Sequence, residues 1–178
     1  MAGYGTTARL MHWITVLLVA GMIPAGLIMT REGLARPTQD ALFIFHKNVG
    51  VILLVLVLLR LLWRVLNPPP PLPATVPGWQ QRVSGAVHAG LYAMLLFMAV
   101  TGFVRVSAGG FPIEMLDWLG VPRLPRMEGL AELAKSAHFY GKFVLMALIV
   151  AHVAGALQHA IVKRDGVFSR MWPPVARR

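Results

Sequence analysis

Four long apolar runs, separated by polar segments, dominate the pattern of the chain. The runs cover residues 10–29, 41–66, 80–106 and 138–163. Each is long enough to cross a hydrocarbon layer about 30 Å thick at a helical rise of about 1.5 Å per residue. Because lipid cannot satisfy backbone polar groups, each run is predicted to be a helix. The pattern therefore predicts an all-α integral membrane four-helix bundle, with residues 1–178 forming a single membrane domain.

The polar segments between the runs differ in length and character. Residues 30–40 form a short loop, and residues 67–79 (NPPPPLPATVPGW) are proline-rich, which argues against a helix there. Residues 107–137 make the longest loop, predicted on the outer side. Its apolar side chains are too few to span a bilayer and are typical of a segment that lies on the membrane surface as a cap. They are Phe111, Ile113, Met115, Leu116, Trp118 and Leu119.

The distribution of charge indicates the orientation of the bundle. The chain carries a net charge of +10, and its basic residues cluster at the ends of the apolar runs, where membrane topology accounts for most of them. If both termini are cytoplasmic, that side carries nine basic residues, including Arg177 and Arg178, against Asp165 alone. The other side then carries eight basic and six acidic residues. The basic flanks and tail therefore predict that both termini are cytoplasmic.

Cysteine is absent from the chain. This excludes thiolate-bound iron–sulfur clusters, disulfides, covalently attached c-type haem and thiol nucleophiles, so any metal must be bound by nitrogen or oxygen. In addition, no Asp or Glu occurs within the four runs. Proton pumps use intramembrane carboxylates, and zinc sites need three or four converging ligands, commonly including a carboxylate. Both of these classes are therefore disfavoured.

Three of the histidines lie in the last apolar run, at His138, His152 and His159. Steps of fourteen and seven residues return nearly to the same direction on an α-helix, because each residue turns the helix by about 100°. The three imidazoles therefore share one face, which must contact protein or a cofactor rather than lipid. His138 and His152 are about 21 Å apart along the axis at about 1.5 Å per residue. This helix thus offers one imidazole near each membrane surface.

The histidines also sort by depth in the predicted topology. His46 and His138 begin the second and fourth runs on the outer side, whereas the other four lie toward the inner side. Two imidazoles at one depth on different helices suit the axial positions of a six-coordinate b-type haem. We therefore predict that His46 pairs with His138, and His12 with His152, as iron ligands. The alternative for any one of them is a hydrogen bond between helices.

Several segments together resemble the bacterial cytochrome b561 family of four-helix dihaem membrane cytochromes, which includes superoxide oxidase. They are LMHW in the first run, FHKNVG in the second, VHAGLY in the third, and HFYGKFVLMALIVAHVAGALQH followed by KRDGVFSRM. The resemblance covers essentially the full length. It implies two haem b groups, bound by the first with the fourth and the second with the fourth helix. It also implies a quinone near the inner haem, with His159 taking part in its binding.

The resemblance further implies a function in the bacterial inner membrane. Superoxide at the periplasmic face would give its electron to the outer haem, and ubiquinone would receive electrons from the inner haem together with cytoplasmic protons. Quinone reduction needs a proton donor, and an imidazole suits this task because its pKa lies near neutrality. We expect this donor to be His159 first and His88 second. The alternative is that either side chain bonds a haem propionate or another helix.

Superoxide is a small anion, so its entrance should be electropositive. Cationic side chains around the outer end of the fourth run are expected to steer it, namely Arg123, Arg126, Lys135 and Lys142. Lys142 lies one turn after His138 on the same face, where it could bind a haem propionate or line the substrate path. Glu128 and Glu132 dilute this positive field, and a solvated loop surface is the alternative explanation of the cluster.

The same dihaem plan also fits a cytochrome b subunit that carries electrons between a partner dehydrogenase or hydrogenase and the quinone pool. The histidines do not separate this function from that of a free-standing enzyme. The absence of an additional span, and an outer loop capped by its own apolar segment, favour the enzyme. A third class, a haem-free structural or ion-conducting bundle, predicts a colourless protein. Nucleic acid is not an expected partner, because topology explains the positive charge.

Overall fold

The chain folds as a bundle of long helices. The computed structural model describes residues 3–174, so Arg177 and Arg178 of the basic tail lie outside the described residues. The five α-helices are α1 (Thr6–Ile28), α2 (Arg36–Leu66), α3 (Gly78–Ala108), α4 (Glu114–Trp118) and α5 (Glu128–Leu157). A π-helical segment, Gln158–Lys163, continues α5, and a short 3₁₀ turn covers Phe168–Arg170.

The predicted all-α architecture with four spans is confirmed. Helices α1, α2 and α3, and the continuous helix Glu128–Lys163, are each long and apolar enough to cross a membrane. Within residues 3–174 there is no strand. Mean hydropathy in the most apolar part of each span lies between 1.8 and 2.5, so side chains that face outward from the bundle are suited to lipid.

The start of the fourth long helix differs from the prediction. The apolar run predicts a start at residue 138, whereas α5 begins at Glu128, and the outer loop is correspondingly shorter. The added residues, EGLAELAKSA, are mostly strong helix formers. They also include four charged or hydroxyl-bearing side chains, so hydropathy marks only the part of the helix that is suited to lipid. The helix thus extends beyond the apolar run.

The helices pack in a chain of neighbours rather than as a closed square. Helix α3 packs along α5, and α2 packs against both α1 and α3. Among the described residues, α5 makes no extensive backbone approach to either α1 or α2. The buried core lies where α2, α3 and α5 meet, and its centre consists of Leu53, Val57, Leu95 and Leu145. Helix α5 therefore approaches the two helices that carry its predicted ligand partners through side chains rather than through close backbone contact.

Both ends of the described chain meet at one end of the bundle, which we call the terminal end. The Tyr4 N–H donates to the Arg170 carbonyl at 3.1 Å. The buried Arg9 donates to the Tyr4 carbonyl at 2.8 Å and to the Pro173 carbonyl at 3.1 Å. The Trp13 indole donates to the Met171 carbonyl at 2.9 Å. These bonds hold the C-terminal segment across the start of α1. Four spans place both ends of the chain on the same side of the membrane, which is consistent with this contact.

The opposite end, which we call the loop end, carries the segment predicted to be a cap. Lys47 on α2 donates to Glu114 at 2.7 Å and to the Pro112 carbonyl at 2.7 Å. Asn48 donates to the second oxygen of Glu114 at 2.9 Å and accepts from the Met115 N–H at 2.8 Å. Helix α4 is therefore fastened to α2 next to His46. Trp118, the last residue of α4, is 84% exposed.

Candidate functional site

Two histidines face each other near the loop end. The ring centres of His46 on α2 and His138 on α5 are 6.2 Å apart, with the ring planes at 82°. Nδ1 of His46 lies 3.1 Å from the Met22 carbonyl. A carbonyl can only accept, so Nδ1 carries the hydrogen and Nε2 keeps its lone pair. This is the form of imidazole that binds a metal through Nε2.

The same tautomer follows for His138. The Thr101 hydroxyl donates to the Phe97 carbonyl at 2.7 Å, so its hydrogen is already engaged. The contact of 3.2 Å between Thr101 Oγ1 and His138 Nδ1 is therefore one in which Nδ1 donates. Both imidazoles of this pair, which we call the loop-end pair, are oriented by their Nδ1 partners and carry a free lone pair on Nε2. Second partners of this kind are typical of metal-binding histidines.

A second pair, the terminal-end pair, lies at the other end of the bundle. The ring centres of His12 on α1 and His152 on α5 are 6.1 Å apart, at 70°. His88 on α3 approaches His152 from another side, with ring centres 5.1 Å apart. The Arg60 guanidinium on α2 donates to His12 Nδ1 at 3.4 Å. Three imidazoles and a cation thus lie near one another at this depth.

Both predicted pairs have the separation that a shared iron requires. Each metal–nitrogen bond is about 2 Å long and each ring centre lies about 1 Å behind its nitrogen, so the ring centres should be about 6 Å apart. The separations of 6.2 and 6.1 Å match. The 5.1 Å between His88 and His152 is too short, and α3 packs closely on α5. The geometry therefore favours His12 over His88 as the partner of His152.

Two glycines shape the loop-end pair. A Cβ atom on Gly26 of α1 would come within 2.9 Å of His46 Cε1, and one on Gly102 of α3 would come within 3.1 Å of His138 Cε1. Each imidazole edge therefore lies in a hollow that a side chain would fill. Gly50, four residues after His46, instead faces the Met22 methyl group, where a Cβ would make ordinary contact at 3.6 Å. Gly26 and Gly102 thus leave room for the two imidazoles and limit where each ring can lie.

Positive charge is concentrated beside the terminal-end pair. The guanidinium groups of Arg60 and Arg64 lie 5.3 and 5.7 Å from the ring centre of Tyr92. These residues line a small cleft, open to one side, together with Tyr4, Met11 and Trp63. Arg60 lies next to His12, and the two guanidinium groups are suited to bind an anionic group at this end.

His159, the predicted quinone contact, has a carboxylate partner. His159 Nδ1 and Asp165 Oδ2 are 2.6 Å apart, and the two side chains are only 15% and 16% exposed. Burial raises the pKa of Asp165, but hydrogen bonds from His159 and from the Val167 N–H outweigh it and bring the pKa below its ordinary value. His88, the second candidate, has the Ser84 hydroxyl 3.3 Å from its Nδ1. From the sequence, Asp165 enters only the charge balance of the two membrane sides, and its contact with His159 is not predicted.

The four cations predicted to steer superoxide are distributed over the loop end, and most are paired. Arg123 forms two hydrogen bonds to Asp117, at 2.8 and 2.6 Å, which lower the pKa of that carboxyl. The other two pairs are Arg126 with Glu128, at 2.9 Å, and Lys135 with Glu132, at 2.9 Å. Lys142 differs, because its ammonium lies 3.9 Å from the Phe139 ring centre. Within residues 3–174, no carboxylate lies at ion-pair distance from it.

These features define a class of protein. A four-span bundle with facing imidazole pairs near its two ends is the architecture of a membrane b-type cytochrome. The chain belongs to the prokaryotic cytochrome b561 family, whose sequence model matches residues 3–174. The predicted family is thereby confirmed.

The relatives that this chain resembles have different names. It is 31% identical over 170 residues to cytochrome b561 homolog 2 of Escherichia coli strain K12, covering 94% of this chain and 90% of the relative. It is 26% identical to the probable superoxide oxidase CybB of Yersinia pestis, covering 91% of each chain. It is 23% identical to the probable Ni/Fe-hydrogenase 1 B-type cytochrome subunit of Escherichia coli strain K12, covering 92% of this chain and 85% of the relative.

Family membership identifies the chain as a multi-pass protein of the bacterial inner membrane that takes part in electron transport. It also implies b-type haem as the prosthetic group. The histidine pairs fit this group in their separation and, at the loop end, in their tautomers. Zinc fits less well, because within the described part of the chain no three or more His, Asp or Glu side chains converge as a metal site would require.

Proposed function

We propose that this protein is a dihaem superoxide oxidase, which accepts electrons from superoxide at the loop end and passes them to ubiquinone at the terminal end. The balanced reaction takes two superoxide anions, one ubiquinone and two protons to two dioxygen molecules and one ubiquinol. The observation that carries the proposal is that α5 presents one half of an imidazole pair near each end of the bundle. In this proposal the terminal end faces the cytoplasm.

The proposed haem ligands are His46 with His138 and His12 with His152. Two haems held there would supply one-electron transfer across the membrane. The protein contributes orientation, because the Met22 carbonyl and the Thr101 hydroxyl hold Nδ1 of the loop-end imidazoles. At the terminal end, the cation nearest to the pair is Arg60. It supplies charge complementarity for an anionic substituent there.

Superoxide entry is proposed at the loop end. Lys142 is the most suitable of the four predicted cations, because it follows His138 by one turn and has no carboxylate neighbour among the described residues. The paired residues Arg123, Arg126 and Lys135 contribute a weaker field, since each positive charge is offset by an adjacent carboxylate. Together they would raise the local concentration of a small anion in a manner sensitive to ionic strength.

Ubiquinone binding is proposed at the terminal end, with His159 and His88 as the polar groups that meet its oxygens. Support comes from their placement near the terminal-end pair, since His88 lies 5.1 Å from His152 between ring centres and His159 follows His152 by two helical turns. An imidazole can donate a hydrogen bond to a quinone oxygen and can also supply a proton near neutral pH.

The second candidate function is an electron-transfer subunit for a partner dehydrogenase or hydrogenase. It is supported by the relative named as a hydrogenase B-type cytochrome subunit. In that function the loop end or the terminal end would receive electrons from a partner protein rather than from superoxide. The haem ligands and the quinone residues would be the same, so the electron donor is what distinguishes the two functions.

The test is a stopped-flow pulse of superoxide onto the purified, oxidised, haem-loaded protein, followed by the haem α-band. We expect rapid haem reduction that superoxide dismutase abolishes and that reverses when a soluble ubiquinone is present. The Lys142→Ala variant should react more slowly with superoxide, and the rate should fall as salt is raised. A haem band that superoxide leaves unchanged would contradict the proposal and favour the subunit function.

A further inference from the structure

The contact between His159 and Asp165 differs from the other ion pairs of the described residues in its partners and in its burial. It is the one pairing of an imidazole with a carboxylate among the described residues, and both side chains are well covered, at 15% and 16% exposure. The other described ion pairs join Lys or Arg to a carboxylate that is 29% to 78% exposed. A shielded carboxylate next to an imidazole holds a proton on that imidazole far more effectively than an exposed one does.

The backbone brings these two residues together by an unusual route. Residues six apart on a regular α-helix point in widely different directions, at about 100° per residue. Here the helix widens to the π form over Gln158–Lys163. Arg164 then adopts a left-handed conformation with φ 51°, which is costly for a residue with a side chain. This reversal returns Asp165 to the side of His159. Widened turns and such strained residues are common at functional sites.

Further contacts fix Asp165 and its surroundings. Its other oxygen, Oδ1, accepts from the Val167 N–H at 3.2 Å. Lys163, the cation whose charge also acts on Asp165, donates to Gln80 on α3. Arg164 donates to the Ile161 carbonyl at 3.1 Å and is exposed. Arg170, in the 3₁₀ turn that packs on the π-helical segment, is buried and donates to the Pro70 carbonyl.

We propose that Asp165 is a positioning residue for quinone reduction, which orients His159 through Nδ1 and stabilises its protonated form so that Nε2 can give a proton to a quinone oxygen. The inference rests on the proposed function. Quinone accepts two electrons and two protons to become quinol. His159 supplies the protons one at a time from Nε2 and regains each from water at the terminal end. Asp165 stays ionised throughout, because it only accepts hydrogen bonds.

The test measures the electron-accepting half of the reaction alone. Purified haem-loaded protein is reduced with dithionite and mixed with a soluble short-chain ubiquinone, and haem reoxidation is followed from about pH 5.5 to about pH 9. We expect Asp165→Asn to slow reoxidation by about tenfold or more at neutral pH. Because the variant removes the charge that favours imidazolium, the pH above which the rate declines should move lower.

Matched variants separate positioning from simple folding. Asp165→Glu keeps the charge and should retain most of the rate with an unshifted pH profile. Asp40→Asn makes the same change in the exposed pair of Asp40 with Arg36 and should leave the rate unchanged. The double variant of Asp165→Asn with His159→Gln should be no slower than His159→Gln alone, because Asp165 acts through His159. Haem absorbance and melting temperature report folding in each variant.

The outcomes distinguish this inference from the proposed function. If ubiquinone reoxidises the wild-type haems normally and Asp165→Asn has the same rate and pH profile, the role of Asp165 is overturned and the proposed function stands. The role of Asp165 is also overturned if adding Asp165→Asn to His159→Gln slows reoxidation as much as it slows the wild type. A wild-type protein that ubiquinone does not reoxidise would overturn the proposed acceptor, and the role of Asp165 with it. Because dithionite supplies the electrons, a failure of superoxide as donor does not affect the result.

Discussion

Gly26 on α1 lies against the edge of the His46 imidazole on α2, so that a Cβ atom at position 26 would be 2.9 Å from His46 Cε1. Gly102 on α3 has the same relation to His138, at 3.1 Å. Each ring thus lies against a glycine of a neighbouring helix, while the Nδ1 atoms of the two rings are held by Met22 and Thr101. The loop-end pair is therefore preorganised by packing as well as by hydrogen bonds.

The first prediction concerns these glycines. Gly26→Ala should push the His46 ring away, because the new methyl group would be closer than real contacts allow. We expect a loss of about 1–3 kcal/mol in stability from overpacking, together with a changed spectrum or a lowered content of one haem. Gly102→Ala should act in the same direction and more weakly. Haem content and thermal unfolding of the purified protein measure both effects.

Gly85→Ala is the matched control for the glycine variants. Gly85 also lies within a long helix, α3, and a Cβ there would meet no atom within 4 Å. Replacing glycine by alanine in a helix is favourable by about 0.5–1 kcal/mol, so this variant should be neutral or slightly more stable. Equal haem loss in Gly85→Ala and Gly26→Ala would show that the hollow around His46 has no special role.

The second prediction concerns the assignment of ligands. His46→Ala and His138→Ala should each remove one of two haems, and the double variant should remove no more, because both residues bind the same iron. Combining His46→Ala with His12→Ala should remove both haems. Haem-to-protein ratios from purified variants measure this directly. His88→Ala should keep two haems, and loss of one in His88→Ala but not in His12→Ala would reassign the partner of His152.

The pairing of histidines could be predicted from the sequence because it depends on local properties. Helical periodicity gives the common face of His138 and His152, and the lengths of the apolar runs give their depth. The structure brings each of them within about 6 Å of the expected partner ring, at 6.2 Å for His46 and 6.1 Å for His12. The Gly26 hollow could not be predicted, because it depends on how α1 is rotated against α2.

The partners of charged residues were the least predictable part of the site. Asp165 lies six residues after His159, and helical periodicity gives no reason for the two to meet. Their contact requires the widened helix and the left-handed Arg164, neither of which has a simple sequence signal. Likewise, Arg123 was predicted as a steering cation, but folding of the loop places it against Asp117. Local loop structure decides such pairings, and hydropathy carries no information about it.

The third prediction concerns the fastening of α4. Burial raises the pKa of Glu114, but hydrogen bonds from Lys47 and Asn48 outweigh it, so the pKa lies below its ordinary value. A lowered pKa means that the stabilisation is complete above the ordinary glutamate pKa of about 4.3 and is lost as pH falls through the lowered value. Glu114→Gln should lower stability by about 1 kcal/mol at neutral pH. Thermal unfolding should therefore show the two proteins converging in acid.

Glu132→Gln provides the control for this prediction. Glu132 also pairs with a lysine, Lys135, but its side chain is 69% exposed. An exposed pair of this kind is worth about 0.5 kcal/mol or less, so the melting temperature should change little. A gap between wild type and Glu114→Gln that stays constant from about pH 6 to about pH 3 would show that the charge of Glu114 is not what fastens α4.

The fourth prediction concerns Arg60 and the potential of the haem at the terminal-end pair. The guanidinium lies 3.4 Å from His12 Nδ1. Binding of iron through His12 Nε2 would place a hydrogen on Nδ1, and Arg60 would then be free to bind an anionic group. A nearby cation disfavours the more positive, oxidised iron. Arg60→Gln should therefore lower the midpoint potential of this haem by tens of millivolts, on the order expected for a half-buried charge. The loop-end haem should be unaffected.

Arg82→Gln is the control for this prediction. It removes an exposed cation from the start of α3, and water screens the charge of such a cation. Redox titration of the two haem bands measures both potentials. An equal shift in the two variants would mean that only net charge matters, and an unshifted Arg60→Gln would place Arg60 outside the electrostatic environment of this haem.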